Sequence, residues 1–407
     1  MTSTPPSKKW LSLIGIGEDG VNGLSPAARL LLAQAEFVVG GARHLALAGK
    51  LDAETMTWPS PLADALPKIL ARRGAPVCVL ASGDPFFYGV GALIAAHVPA
   101  REIECLPAPS AFSLAAARLC WSLQDCRLIS LHGRDFERII PALQPGAKIL
   151  CLSWDETTPP RLAKLLCERG LGQSKIIVME AMGGPRERLR ECTAEAFAMD
   201  AIDPLNLVAI EINADAQSRV TPVASGLADD WFENDGQITK REVRAVALSA
   251  LAPKRGELLW DVGAGSGSIA IEWLLADPAN RAIAIEARAE RAERILRNAK
   301  ALGAPQIEIL TAAAPAAFAG LPQPDAIFVG GGASDQGLLD AAFAALAAGG
   351  RLVVNAVTLE TEAELIARFK AHGGDLIRIE IARADPIGGF YGWRPARPIT
   401  QWSMTKR

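Results

Sequence analysis

The sequence predicts an α/β protein of two domains, the second of which is built on a doubly wound sheet. Three observations lead to this prediction. The 407 residues exceed the size at which a single hydrophobic core usually stops growing. Short β-type runs alternate with amphipathic helical runs over most of the chain. Glycine-rich turns follow apolar strands in two places, LSLIGIGEDG at 11–20 and DVGAGSG at 261–267, as they do at the start of nucleotide-binding domains.

The first domain is predicted to span residues 9–212. It begins with the strand WLSLIGIG and the helix SPAARLLLAQA, for which Ser25 is the expected N-cap and Pro26 lies in the first helical turn. The alternation continues through EFVVGG, PVCVLASG and AFSLAAARLCW. A second stretch of the same kind runs from CRLISLHGR to NLVAIEI and ends near residue 212.

Residues 213–232 lose this periodicity and gain Asp, Asn, Ser and Gly, which predicts a linker. Residues 233–407 resume it with the strands ELLWDV, RAIAIE, IEIL, AIFVGG and RLVVNAV. The helix ARAERAERILRNAKAL is predicted to end at Gly303. No helical pattern separates the last two strands, DLIRIEIARA and ITQWSMT, so we expect them to form an antiparallel hairpin.

The composition excludes several classes of protein. Half of the residues are hydrophobic and 21% are charged, which is typical of a globular chain. A net charge of −3 gives no general attraction to nucleic acid. The N-terminal MTSTPPSKK lacks the apolar region of a secretion signal, and no apolar run approaches the length of a membrane span, so we expect a cytoplasmic protein. The four histidines form no cluster and the seven cysteines no paired spacing, which argues against a bound metal.

The second glycine turn has the features of an adenosine-cofactor site. Gly263, Gly265 and Gly267 let the backbone approach a ligand where a helix N-terminus offers free N–H groups. Glu286 ends the next strand, where a carboxylate can accept the ribose hydroxyl protons, although it could also be a solvated strand end. The dinucleotide fingerprint requires glycine at the position of Ser268, so a dinucleotide is not expected.

The G-x-G-x-G pattern after Asp261 is similar to that of Rossmann-like S-adenosylmethionine methyltransferases. With ITKREVRA at 238–245, PDAIFVGGG and AAGGRLVVNAVTLET, residues 233–407 resemble the cobalamin-pathway domain that methylates carbon 15 of a precorrin and removes carbon dioxide from an acetate side chain. This resemblance implies that the cofactor is bound by Thr239, Asp261, Gly263, Ala264, Gly265, Ser266 and Gly267, with Glu286 on the ribose and Ala313 beside the adenine.

The first glycine turn belongs to a second set of motifs. ASGDPFFYGVGALI combines glycine, acid and proline after a buried-type strand, which predicts a rigid loop with exposed backbone groups. With VVGGARHL, LPAPSAFSLAAARL and ISLHGRD, residues 9–212 resemble the two-lobed tetrapyrrole methylases, and GGARHL and SLHGR resemble their carbon 5 branch. The resemblance implies a second S-adenosylmethionine in the cleft between the lobes, bound by Gly15, Gly17, Gly83, Asp84, Pro85, Ser110, Ala111 and Phe112.

Two features of this motif set leave room for other interpretations. Glu18 stands where the first loop of the tetrapyrrole methylases usually carries proline, and Asp84 could simply cap a turn. The fused whole nevertheless resembles the decarboxylating precorrin-6Y methyltransferases of cobalamin (vitamin B12) biosynthesis, which form precorrin-8 by methylating carbons 5 and 15 and decarboxylating the ring C acetate. That resemblance implies one S-adenosylmethionine per domain, a precorrin substrate and a homo-oligomer.

Methyl transfer to carbon is an in-line displacement at an activated methyl group, so positioning matters more than a protein nucleophile. His44 and His132 stand in glycine-adjacent loops beside Arg43 and Arg134. We expect these histidines to handle protons, unless they are structural, and these arginines to bind substrate carboxylates.

The segment RADPIGGFYGWRPARPITQW is a further candidate for contact with the substrate. Precorrins carry many carboxylates, which arginine can bind through two hydrogen bonds. We expect Tyr391, Arg394 and Arg397 to face the substrate, although the arginines could equally form a solvated hairpin face.

Two other functions remain open from sequence. An RNA-modifying methyltransferase can use both folds, but it would need a basic face, which the predicted pI of about 5.9 opposes. The N-terminal domain could also be a non-catalytic module that presents the precorrin to a single active methyltransferase.

Overall fold

The computed structural model describes residues 9–407, which divide into two compact units. The first unit comprises the described residues up to Arg134 together with Gln144–Arg219. The second comprises Asp135–Leu143 and Val220–Arg407.

The first lobe of the first unit is a parallel five-stranded sheet in the order β3-β2-β4-β1-β5. Its strands are β1 (Leu11–Ile16), β2 (Phe37–Gly40), β3 (Glu54–Thr57), β4 (Val77–Ser82) and β5 (Ile103–Leu106), and its helices are α1 (Pro26–Ala33), α2 (Ala42–Ala48), α3 (Leu66–Leu70) and α4 (Gly91–Ala95). The Ser25 Oγ accepts a hydrogen bond from the Ala28 N–H at 3.2 Å, which confirms the predicted cap of α1.

The second lobe is a mixed sheet in the order β6-β7-β10-β8-β9, in which only β6 and β7 are parallel. Its elements are α5 (Ala111–Leu119), β6 (Cys126–Ser130), β7 (Lys148–Leu152), α6 (Thr158–Glu168), β8 (Lys175–Glu180), β9 (Arg188–Thr193) and β10 (Asn206–Glu211). The prediction of a two-lobed α/β domain is therefore confirmed.

The second unit is a seven-stranded sheet in the order β13-β12-β11-β14-β15-β19-β16. Its strands are β11 (Leu258–Val262), β12 (Arg281–Ile285), β13 (Glu308–Leu310), β14 (Ala326–Val329), β15 (Arg351–Ala356), β16 (Asp375–Ile379) and β19 (Ile399–Thr405). Its helices are α7 (Arg241–Leu251), α8 (Ser268–Ala276), α9 (Ala289–Leu302), α10 (Leu338–Ala345) and α11 (Leu359–His372). Apolar cores cover both faces of the sheet, as expected of a doubly wound fold, and α9 ends at Gly303 as predicted.

The prediction for the last two strands was right about their pairing and wrong about their connection. β16 and β19 pair antiparallel, but a separate hairpin of β17 (Ala382–Ile387) and β18 (Phe390–Pro395) lies between them in the chain. The sequence supports this hairpin, because Gly388 at φ +60° begins its turn together with Gly389. Over residues 9–407, no helix is both long enough and apolar enough to span a membrane.

Candidate functional site

A cavity of about 620 Å³ opens in the second unit where the parallel strands β11, β12, β14 and β15 end. This edge is where ligands bind in doubly wound sheets. One end of the cavity is lined by residues 236–240, 262–265, 285–287, 312–314 and 330–332, and the other by residues 355–357, Ile379, Ile381, Arg383, Ala396, Arg397 and Ile399. Of the residues predicted to bind the cofactor, those on this lining are Thr239, Gly263, Ala264, Gly265, Glu286 and Ala313.

Close backbone contacts explain why this turn is rich in glycine. Gly263, Gly265 and Gly267 all have positive φ, between +59° and +76°. A Cβ on Gly263 would lie 3.2 Å from the backbone nitrogen of Gly331, and one on Gly267 would lie 2.7 Å from a side-chain carbon of Ile295. The turn therefore presents bare backbone to the cavity and packs against its neighbours behind it.

The remaining predicted residues of this turn, Asp261, Ser266 and Gly267, do not line the cavity. Asp261 is 1% exposed, and its Oδ2 accepts a hydrogen bond from the Ala270 N–H at 3.1 Å, which joins β11 to the first turn of α8. Burial, with a smaller effect of the Glu286 charge, raises the pKa of Asp261 to about 7. Asp261 thus supports the turn from behind.

Glu286 has a buried carboxylate whose orientation is fixed by two backbone donors. Its Oε2 accepts from the Gly265 N–H at 2.9 Å and its Oε1 from the Arg288 N–H at 3.1 Å. The residue is 5% exposed and lines the cavity. Each oxygen keeps further acceptor capacity, so this carboxylate can receive two neighbouring hydroxyl groups of a ligand. The alternative of a solvated strand end is wrong, because the side chain is buried.

The cavity wall formed by residues 236–240 is held by a buried ion pair. Arg244 is fully buried, and its Nε donates to Glu272 Oε1 at 2.6 Å. Its terminal nitrogens donate to the carbonyl oxygens of Thr239 and Leu227. Glu272 also accepts from the Leu227 N–H at 3.0 Å. This network ties the segment before α7 to α8 and fixes Thr239 at the cavity.

The segment 213–232, predicted to be a linker, is therefore packed into the second unit over its C-terminal part. Leu227 and Phe232 are 2% and 3% exposed within the core, and the Arg244 guanidinium lies 4.7 Å from the centre of the Phe232 ring. Further along, Asp235 forms ion pairs with Arg291 and Arg294 of α9 at 2.9 and 3.0 Å. The cavity wall is thus anchored on both of its flanks.

The far end of the cavity contains one of the three residues predicted to face the substrate. Arg397 lines it, whereas Tyr391 is 78% exposed on the β17–β18 hairpin and Arg394 pairs with Asp385 at 3.2 Å, both outside the lining. Sequence analysis missed Arg383, which lines the cavity and donates to both carboxylate oxygens of Glu242 at 2.8 Å. Arg383 lies within the segment that was quoted as a candidate, but nothing local distinguishes it from Arg394.

Sequence analysis also missed Asn355, near the end of β15. Asn355 lines the cavity, and its Oδ1 accepts a hydrogen bond from the Nε2 of Gln401 on β19 at 2.9 Å. The two residues are 46 positions apart and meet only through the antiparallel register of these strands. No local pattern in the sequence carries this signal.

In the first unit, the loops that follow β1, β4 and β5 meet through their backbones. The Gly83 N–H donates to the Ile16 carbonyl at 3.3 Å, and the Ala108 N–H donates to the Gly83 carbonyl at 3.0 Å. A Cβ on Gly15 would lie 1.8 Å from the Gly83 oxygen, so only glycine fits there. Gly15, near the end of β1, and Gly17 and Gly83, on the loops after β1 and β4, therefore lie at one edge of the sheet.

The other predicted cofactor residues of this unit have structural contacts of their own. Asp84 Oδ1 accepts from the Phe86 N–H at 2.9 Å, so it does cap a turn, and Pro85 beside it is buried. Ser110 Oγ accepts from the Ser113 N–H at 3.1 Å and caps α5, which begins with Ala111 and Phe112. These contacts fix the two loops, whose exposed backbone groups remain available to a ligand.

Tyr88, which the sequence did not single out, connects the two lobes of the first unit. It has φ +55°, which is unusual for a bulky residue, and its hydroxyl donates to the Leu128 carbonyl of β6 at 3.4 Å. The Arg134 guanidinium lies 5.0 Å from the centre of its ring. Arg134 of the SLHGR motif is thereby placed against the loop that follows β4.

His44 lies in a polar cluster with Arg43 and Ser82. Its Nδ1 accepts from the Gly41 N–H at 3.3 Å, and its Nε2 lies 2.8 Å from Ser82 Oγ and 3.2 Å from an Arg43 guanidinium nitrogen. Burial, and then the neighbouring charge of Arg43, lower the pKa of His44 to about 4. His44 is therefore neutral at physiological pH.

The remaining predicted residues of this unit lie around these loops. Arg43 forms an ion pair with Glu18, which also lies 3.6 Å from Arg186 of the second lobe. His132 is exposed in the other lobe, with its ring 5.9 Å from that of Trp154. Among residues 9–407, no group of three His, Cys, Asp or Glu side chains is arranged to hold a metal ion.

Two family models match the chain, one for each set of motifs. The family described as "Tetrapyrrole (Corrin/Porphyrin) Methylases" matches residues 11–198, and the "Precorrin methyltransferase domain" matches residues 230–406.

Full-length and single-function relatives agree with this division. A precorrin-6Y C(5,15)-methyltransferase [decarboxylating] of Sinorhizobium sp is 56% identical over 98% of this chain and 96% of its own length. The cobalt-precorrin-7 C(5)-methyltransferase of Salmonella typhimurium is 31% identical over 47% of this chain and 94% of its own length. The cobalt-precorrin-6B C(15)-methyltransferase (decarboxylating) of the same organism is 34% identical over 40% of this chain and 85% of its own length.

The lowered pKa of His44 predicts a specific pH dependence. The unfolded histidine binds a proton below about pH 6.5, whereas the folded one does so only near pH 4. The neutral ring therefore favours folding fully above pH 6.5, and this contribution is lost as the pH falls from 6.5 towards 4. An NMR titration of the ring should show His44 neutral down to about pH 5, and H44Q should remove the signal. Protonation near pH 6.5 would show that partial burial and the Arg43 charge do not lower the pKa of His44.

The Arg244–Glu272 pair predicts a non-additive effect on stability. R244M leaves the buried Glu272 carboxylate without its cation, so we expect the second unit to lose about 3 kcal/mol or more. R244M/E272M removes both charges and should recover part of that loss. Thermal unfolding of the full chain, compared among the three proteins, measures both effects. A double variant no more stable than R244M would contradict the ion-pair account.

Proposed function

The chain belongs to the family of precorrin-6Y C(5,15)-methyltransferases, and we propose that it is a bifunctional S-adenosylmethionine-dependent enzyme of cobalamin biosynthesis. It adds methyl groups to carbons 5 and 15 of precorrin-6Y and decarboxylates the ring C acetate, which yields precorrin-8. The first unit carries out the carbon 5 methylation, and the second the carbon 15 methylation with the decarboxylation. The observation that supports this most is the cavity beside the glycine turn of the second unit, with the fixed carboxylate of Glu286 in its wall.

The second unit fits S-adenosylmethionine through its polar groups and its shape. Glu286 accepts the ribose hydroxyl protons, and the bare backbone of Gly263 and Gly265 leaves room for the cofactor. Thr239 and Ala313 line the same cavity, and Ala313 lies beside the adenine. The bound cofactor supplies an activated methyl group, which the substrate carbon can attack without a protein nucleophile.

The same cavity offers positive charge to a carboxylate-rich macrocycle. The loop after β14, Gly330–Gly332, carries no side chains where it lines the cavity. Arg397 lies at the far end without a carboxylate partner among residues 9–407, and it binds a substrate carboxylate. Tyr391 and Arg394, on the exposed hairpin, contact the rim of the macrocycle once it is bound.

In the first unit, the loops after β1, β4 and β5 hold a second S-adenosylmethionine against the N-terminus of α5. Arg43 and Arg134 bind substrate carboxylates there. His44, neutral at working pH, orients substrate through a hydrogen bond rather than through charge, and the exposed His132 exchanges protons with solvent.

The names of the single-function relatives support an order of reaction. The C(15) relative is named for a precorrin-6B and the C(5) relative for a precorrin-7. We propose that the second unit acts first on precorrin-6Y and that the first unit methylates its product. We further propose a cytoplasmic homo-oligomer that acts on a small molecule and not on RNA, since the net charge of −3 does not attract a polyanion.

Calorimetry on the full chain tests the cofactor sites. We expect two molecules of S-adenosylmethionine per chain, because each unit has its own glycine turn. E286A should weaken one of these sites by roughly 1 to 3 kcal/mol, the usual loss when hydrogen-bond partners are stranded, and leave the other unchanged.

E293A is the matched control, because Glu293 is exposed on α9 and does not line the cavity. It should bind both molecules as the unchanged protein does. Binding of a single cofactor by the unchanged protein would mean that the first unit only presents the substrate. Two unaltered sites in folded E286A would remove Glu286 from the cofactor site.

A further inference from the structure

We propose that Asn355 holds the acetate carboxylate that is lost during decarboxylation. This inference deepens the proposed function and rests on it, and the family matches assign no role to Asn355. The site would take a carboxylate on a short side chain of the macrocycle, placed by a neutral hydrogen-bond donor in apolar surroundings.

The Asn355 amide is oriented by a hydrogen bond to a neighbouring strand. Asn355 faces Gln401 in the antiparallel register of β15 and β19. Gln401 is 1% exposed, and its Nε2 donates to Asn355 Oδ1 at 2.9 Å. The acceptor end of Asn355 is thereby occupied. Its Nδ2, with two N–H groups, has no partner among residues 9–407, and the side chain lines the cavity.

The Asn355 side chain lines the same cavity as the glycine loops that follow β11 and β14. β14 and β15 are parallel, and their last pair is Val329 with Val354, so Gly330 and Asn355 are the next residues of the two segments, and both line the cavity. A Cβ on Gly330 would in turn lie 3.6 Å from the Gly263 carbonyl of the second glycine turn. The Asn355 amide therefore lies in the same cavity as the glycine turn where the cofactor is proposed to bind.

The part of the cavity lining around the Asn355 amide is largely apolar. The adjoining lining includes Val357, Ile379, Ile381 and Ile399, all of them apolar. Of the two arginines at this end, Arg383 is already paired with Glu242 through both carboxylate oxygens, and Arg397 is assigned to a carboxylate of the macrocycle other than the acetate that is lost. A carboxylate placed against Asn355 therefore receives directional hydrogen bonds without full neutralisation of its charge.

This environment suits loss of carbon dioxide. The bond between the methylene carbon and the carboxyl carbon breaks, its electron pair enters the conjugated macrocycle, and carbon dioxide leaves. A proton from solvent then adds to the methylene carbon, which becomes a methyl group. Charge leaves the carboxylate in the transition state, so a tightly bound cation would stabilise the starting state more, whereas apolar walls favour the dispersed charge. A neutral amide can orient the carboxylate and still allow carbon dioxide to leave.

The test is the ratio of carbon dioxide released to methyl groups added at carbon 15, measured by mass spectrometry with the full chain, S-adenosylmethionine and the precorrin substrate. N355D replaces the donor with an acceptor of nearly the same shape, which repels a carboxylate. We expect the ratio to fall about tenfold or more, the effect of losing a hydrogen bond to a charged group. N213D, at an exposed position of the first unit, makes the same charge change and should keep the ratio.

The outcomes separate this inference from the proposed function. If the unchanged protein adds no methyl group at carbon 15, the proposed function fails. If it does, an unchanged ratio in N355D overturns the role of Asn355, and so does a proportional loss of both products. N355A, which removes the donor without adding charge, decides the question by the same ratio if N355D does not fold.

Discussion

Close approach of backbone to backbone at the carboxyl edge of parallel strands is the constraint on which both units depend. In the first unit a Cβ on Gly15 would lie 1.8 Å from the Gly83 oxygen, and in the second a Cβ on Gly263 would lie 3.2 Å from the Gly331 nitrogen. Glycine at these positions allows two loops to touch while their other backbone groups stay open to a ligand. These contacts fix the positions of the loops, and the loops carry the other residues of each site.

The polar groups of the second unit show how such a turn is kept rigid. Glu286 accepts a hydrogen bond from Gly265 within the turn, and Asp261 accepts one from Ala270 just after it. Arg244 with Glu272 fixes the wall formed by residues 236–240. Because these groups are buried, an unpaired member would be costly, so the network favours one arrangement of the wall. A preorganised wall suits methyl transfer, in which placement of the two reacting atoms supplies much of the rate.

The sequence predicted what is encoded locally and missed what depends on distant pairing. Ser25, Gly303 and the strand–turn–helix at 258–276 were found because caps and glycine turns act within a few residues. β3 and β9 were missed, since both are edge strands with largely exposed residues and so lack an apolar pattern.

The same distinction holds within the sites. Glu286 follows its turn at a fixed distance along the chain and was identified. Asn355 was missed because it contacts Gln401 only through the pairing of two strands. Arg383 and Arg394 could not be distinguished from sequence, because both are arginines of the same segment, although only Arg383 lines the cavity.

The central claim is that one chain carries two methyltransferases with separate tasks. The most direct test is the mass of the product made from precorrin-6Y by the full chain with Gly15→Val, whose side chain would meet the Gly83 oxygen and close the first site. The account predicts one added methyl group and the loss of one carbon dioxide, made by an intact second unit that still binds one cofactor. A product with both methyl groups, or one that keeps its acetate carboxyl, would contradict it.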